Sequence, residues 1–91
     1  MSEQGQHKLT PVQERAVDVI AYLAVNLVAH PEDVRVELVA EDDREVVKVS
    51  LHPDDRGEFI GKGGQTARAM RTLLAAIGGR SDERLTLEIV D

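Results

Sequence analysis

No cysteine occurs anywhere in this chain, which removes disulfides as staples and thiolates as metal ligands. Cysteine-free usage fits a reducing compartment, and a cytoplasmic location is expected. Aromatic residues are almost as scarce, with Tyr22 and Phe59 the only two. An exposed aromatic platform of the kind that RRM and OB surfaces offer to nucleic-acid bases cannot be built from them. No apolar run approaches the roughly 18 residues that a membrane-spanning helix needs. The opening stretch, Met1 to Lys8, lacks the apolar core of a secretory leader, and residues 1–9 are predicted to form a disordered tail. The three histidines, His7, His30 and His52, stand without metal-ligand spacing and are expected at solvated chain ends and element ends. No metal and no cofactor is expected, and no nucleophile sits in a context that suggests catalysis, so the chain is read as a non-enzyme.

Basic charge is in short supply too, with 11 Lys and Arg against 17 Asp and Glu for a net charge of -6. That balance argues against a polyanionic partner until its distribution is considered. Residues 56–80 carry Arg56, Lys62, Arg68, Arg71 and Arg80 against the single acid Glu58. The acids are concentrated before and after this stretch. Screening limits a bound phosphate to charges within about 8 Å, so a ligand docked on residues 56–80 meets a locally basic surface.

What remains is enough for one core and no more: 91 residues make one domain, predicted over residues 10–91. Thr10, Pro11 and Gln13 have the spacing of a capping box with proline at the first helical position. Ala16, Ile20, Leu23, Ala24, Leu27 and Val28 then recur at helical spacing, and His30-Pro31 is expected to end that helix. Val34, Val36 and Leu38 alternate as in a half-buried strand, and Val47, Val49 and Leu51 do so again after the polar turn Glu41–Arg44. These two strands should form an antiparallel hairpin. A short helix from Pro53 to Ile60 and a longer one from Gln65 to Ile77 follow, the latter with Ala67, Met70, Leu74 and Ile77 on one face and Gly78-Gly79 as its stop. Leu85, Leu87 and Ile89 alternate in a last strand. The fold class is therefore α+β in the order α-β-β-α-α-β. A crossover through two helices should make the last strand parallel to the second. A three-stranded mixed sheet with three helices on one face is the expected product.

Gly61-Lys62-Gly63-Gly64 joins the two helices with no residue to spare. Glycines permit the sharp turn and a close approach of another backbone. The first N–H groups of the following helix lack internal partners, and Lys62 adds an ammonium at the tip, so the turn suits a phosphate. It is not the phosphate loop of nucleotide hydrolases, because only three residues separate Gly57 from Gly61 and glycine follows Lys62 where a hydroxyl is required.

The stretch Phe59 to Leu74, together with His52-Pro53-Asp54-Asp55-Arg56-Gly57 and the leading helix, resembles KH domains. More closely, it is similar to the small bacterial single-KH proteins of the KhpA type, over roughly residues 12–91. The resemblance implies a type II KH fold whose groove takes about four nucleotides of single-stranded RNA. It assigns Gly61, Lys62, Gly63 and Gly64 to the phosphate loop, Ile60 and Ala67 to the apolar groove, and Arg68 and Arg71 to the basic positions of the next helix. Two departures stand out: many relatives carry a large polar residue where Gly63 stands, and Arg where Gln65 stands. The resemblance further implies an RNA chaperone or adaptor that pairs with itself or with a larger KH-containing protein of the KhpB (Jag) type. The alternative is a KH-fold scaffold for proteins with little RNA binding.

Overall fold

The structure is a computed structural model, and it describes residues 9–79 and 83–90. The predicted tail, apart from Leu9, and residues 80–82 of the last loop lie outside the described residues. Helix α1 spans Pro11–Leu27, strands β1 and β2 span Arg35–Glu41 and Arg44–Ser50, helices α2 and α3 span Arg56–Ile60 and Gln65–Gly79, and β3 spans Leu85–Val90. Short 3₁₀ turns cover Pro31–Asp33, Pro53–Asp55 and Lys62–Gly64. The α-β-β-α-α-β order is as the sequence patterning predicts.

The start of α1 is fixed by the capping box read from the sequence. The Gln13 N–H donates to Thr10 Oγ1 at 3.1 Å, and the Thr10 N–H donates to Gln13 Oε1 at 2.9 Å. Its end comes earlier than Pro31 requires, at Leu27, with Val28 already extended. The cause is tertiary: the buried carboxylate of Asp55 accepts the N–H groups of Ala29 and His30, at 3.2 and 3.0 Å. Those are amides that a longer helix would have turned inward to its own carbonyls.

Strands β1 and β2 pair antiparallel from Arg35↔Ser50 to Glu41↔Arg44, and β2 and β3 pair parallel from Glu45↔Leu85 to Ser50↔Val90. The hairpin turn is tighter than the four-residue turn expected, with Asp42 and Asp43 at its tip. Asp42 takes a φ of +50°, a region that short polar side chains tolerate best after glycine. This register puts Val36, Val49 and Ile89 in one row and Leu38, Val47 and Leu87 in the next. The core joins those rows to Ala16, Ile20 and Ala24 of α1, Phe59 of α2, and Ala67, Met70 and Leu74 of α3. All three helices thus cover one face. On the other face Lys48 stands between Glu37 and Glu88, and its Nζ lies 3.5 Å from Glu41.

Phe59, the largest side chain with no exposed surface, locks the short α2 into this core. Burying it stabilises by about 1.5–3 kcal/mol. That anchorage matters because a five-residue helix has no independent stability. Helix α3 continues through both Gly78 and Gly79 instead of stopping at them. Gly78 serves a different purpose: a Cβ there would collide with the Glu83 carbonyl oxygen, and the Glu83 N–H donates to the Gly78 carbonyl at 2.9 Å. The glycine lets the lead-in to β3 lie directly against the helix. Among the described residues, no helix is long and apolar enough to cross a membrane.

Candidate nucleic-acid interface

Helix α2 delivers the chain into the glycine turn, so whatever fixes α2 fixes the turn. Beyond Phe59, a polar clasp does this. Asp55, 2% exposed at the head of α2, holds the two backbone N–H groups at the end of α1 and the Nδ1 of His30 at 3.0 Å. The His30 ring stacks on His52 with centroids 3.9 Å apart and planes 12° from parallel. His52 Nδ1 in turn accepts the Asp54 N–H at 3.0 Å, which caps the 3₁₀ turn leading into α2. The hydrogen bond that His30 makes to the Asp55 carboxylate raises the His30 pKa above its ordinary value, against the opposing effect of burial. For Asp55, burial pushes the pKa up, but the His30 side chain and the two backbone donors outweigh it and the pKa is lowered. His30 and His52 are therefore joined parts of a clasp, not separate solvated ends as the sequence suggested. The sequence carries no signal for this beyond two histidines each followed by proline.

The turn itself is built on three glycines at positive φ: Gly61 at +84°, Gly63 at +61° and Gly64 at +76°. Gly61 has no substitute. A Cβ there would lie 2.5 Å from Thr66 Oγ1 and 2.9 Å from the Thr66 nitrogen. Gly63 is open, and a Cβ at this position would meet nothing within 4 Å, which accommodates the larger residues expected at this place in related chains. The Gly61 N–H donates to Gly57, the Gly64 N–H to Gly61, and the Gln65 N–H to Lys62. The N–H groups of Lys62 and Gly63 take part in none of these bonds. Successive amides in such a turn form an anion-binding concavity. The N–H groups outside these bonds thus sit at the tip of the turn, one step before the helix N-terminus, which is where the sequence reading looked for donors to a phosphate.

Lys62, Arg68 and Arg71 are exposed around this turn. Arg68 is partly committed, since its Nη1 donates to the Gly63 carbonyl at 2.9 Å. Ile60 is half-buried and free to form part of a groove wall, whereas Ala67 is 3% exposed and belongs to the core. Ala67 can shape a groove from beneath but presents little surface to a ligand. A second feature was not read from the sequence. Leu23 and Leu27 of α1 face Thr66, Ala69, Met70 and Leu73 of α3 across an apolar cleft of about 210 Å³. Leu27 and Leu73 are 47% and 37% exposed. The available signal was Leu73, an apolar residue standing outside the buried stripe of α3.

A short helix, a glycine turn and a long helix inserted between the parallel strands of a mixed sheet define a KH domain. A family model described as "KhpA/KhpB, KH domain" matches residues 17–89. The RNA-binding protein KhpA of Mycobacterium tuberculosis is 45% identical over 75 residues, covering 82% of this chain and 90% of that protein. The RNA-binding proteins KhpA of Bacillus subtilis and Listeria monocytogenes are 39% and 38% identical over 74 residues, covering 81% of this chain and 91% and 97% of theirs. The chain belongs to the KhpA/KhpB family of KH-domain proteins.

Proposed function

We propose that this protein binds short single-stranded RNA, with a phosphate seated on the turn Gly61–Gly64 and bases lying along the groove beside it. The single observation that carries this reading is the turn tip: the adjacent N–H groups of Lys62 and Gly63, unspent in the turn, with the Lys62 side chain exposed. Arg68 and Arg71 extend the positive surface along α3, Ile60 supplies an apolar wall, and Ala67 shapes its floor. The role is binding, as an RNA chaperone or adaptor in the cytoplasm, and not catalysis. The family relationship and the names of the relatives support it.

One groove of about four nucleotides gives modest affinity, so a second domain adds avidity. The protein therefore acts as a pair, with a second copy or with a larger KhpB (Jag) type protein. The apolar cleft of α1 and α3, with Leu27 and Leu73 exposed at its edges, supports pairing through that face.

The test is charge reversal at the tip. Lys62→Asp with Gly63→Asp should abolish binding of a fluorescent single-stranded RNA while the circular dichroism spectrum stays that of the parent. Two carboxylates then stand where a phosphate would, in an exposed turn, and Asp tolerates the φ of position 63 better than most residues. A folded double variant that binds RNA as the parent does would overturn the assignment, and a parent that binds no RNA would leave the scaffold alternative.

A further inference from the structure

The peptide unit between Gly63 and Gly64 is held at both ends. Its N–H donates to the Gly61 carbonyl at 3.0 Å, and its C=O accepts from Arg68 Nη1 at 2.9 Å. The residues on either side of it are both glycines, and a peptide between two glycines rotates cheaply because no Cβ resists the change. Packing does not choose its orientation either. A Cβ on Gly63 would meet nothing within 4 Å, and one on Gly64 would meet only Arg68 Nη1, at 3.6 Å. Gly61, tight against Thr66, is the one loop glycine whose place is set by contact. Two hydrogen bonds therefore select the orientation of this peptide, and one of them comes from a side chain on α3. If the Arg68 bond is lost, the peptide can turn over, carrying the partial negative charge of its carbonyl to the other side of the turn and breaking the bond to Gly61.

We propose that Arg68 is a positioning residue: it locks the Gly63–Gly64 peptide before RNA arrives, so that the Gly63 carbonyl does not turn over toward a phosphate seated on the tip N–H groups of Lys62 and Gly63. This rests on the RNA-binding reading above and changes the part Arg68 plays in it. Its main contribution is preorganisation of the turn, which lowers the ordering cost of binding, and not a phosphate contact of its own. The two roles leave different marks. Loss of a phosphate contact flattens the dependence of log K on log salt by about 0.7 for a single strand. Loss of a preorganising hydrogen bond lowers affinity at every salt concentration and leaves the slope alone.

The experiment compares Arg68→Met, which keeps the apolar stem and removes the donor and charge, with Arg71→Met, which removes a neighbouring charge without touching the turn. Affinity for a fluorescent single-stranded RNA is measured at several salt concentrations, and amide hydrogen exchange is followed by NMR in the RNA-free proteins. Arg68→Met should weaken binding about fivefold, in the range of one net hydrogen bond, with the slope unchanged. It should also speed exchange of the Gly64 N–H by about the same factor, while the Leu74 amide in the middle of α3 exchanges as before. Arg71→Met should flatten the slope by about 0.7 and leave Gly64 exchange as in the parent. A flattened slope with unchanged Gly64 exchange in Arg68→Met would make it a phosphate contact and overturn the proposal. Faster exchange with undiminished affinity would overturn it as well. If the parent binds no RNA but Gly64 exchange responds to Arg68→Met, the clamp stands and the RNA-binding reading falls.

Discussion

Gly61 shows how much a single position can constrain. Its φ of +84° is costly for any residue with a Cβ, and the Thr66 backbone and hydroxyl occupy the space that a Cβ would need. Gly61→Ala should therefore destabilise the domain by about 2 kcal/mol or more in urea unfolding. Gly63→Ala meets open space and carries only the backbone strain, about 1 kcal/mol. Equal effects at the two positions would contradict the geometry of the turn. At this scale the four letters of the turn were legible because glycine and lysine carry their chemistry wherever they stand. What the letters withheld was the inequality among the glycines, which depends on where Thr66 lies, and the tie from Arg68, which depends on a side-chain conformation. Ala67 carried two readings, a groove position from the motif and the apolar stripe of the long helix, and its 3% exposure fits the second.

The helices and strands were largely legible, since their apolar residues repeat at periods that only one kind of element can bury. Leu74 of α3 has no exposed surface, and Leu74→Ala should cost about 2–5 kcal/mol through lost burial and a cavity. An unchanged melting temperature would contradict the packing of α3. Where the elements end was less legible, because other parts of the molecule decide it. Asp55 shortens α1 from a distance of more than twenty residues in sequence, and the approach of Glu83 turns Gly78 from a stop into a packing position. The Asp55 clasp has a pH dependence whose sign follows from its protons. The His30 pKa is raised, so its contribution is fully present below the ordinary histidine value of 6.5 and is lost as pH rises through the higher folded value. The Asp55 pKa is lowered, so its contribution is present above the ordinary value of 3.8 and is lost as pH falls through the lower folded value. The clasp is complete between those limits. Thermal unfolding should show the parent losing stability from pH 6 to pH 8 and His30→Ala losing less over the same range. The same loss in both proteins would remove His30 as its source.

For the whole molecule, the net charge of -6 and the basic run from Arg56 to Arg80 act together. In the proposed RNA complex the local positive charge would attract a phosphate backbone at short range, and the acidic remainder would oppose loose electrostatic sticking. Binding that relies on a groove and few charges should be weak for one domain, on the order of micromolar, and only mildly salt-dependent. In the proposed pairing through the apolar cleft, a second groove would raise the effective affinity, and Leu73→Glu, at an exposed edge of that cleft, should yield a folded monomer in sedimentation at concentrations where the parent is paired. A parent already monomeric there would remove the cleft as a pairing face. The charge segregation was legible in the sequence, but the cleft was not, because it exists only once α1 and α3 lie side by side. The most direct measurement is titration of the protein with fluorescent single-stranded and duplex RNA of the same sequence at several salt concentrations. Single strands should bind better, with log K falling against log salt at a slope of about -1.4, as for two phosphate contacts. Duplex should bind worse, because its bases are closed to the groove. Equal binding of both forms with a much steeper slope would mean generic attraction to a polyanion and would contradict a groove that reads unpaired RNA.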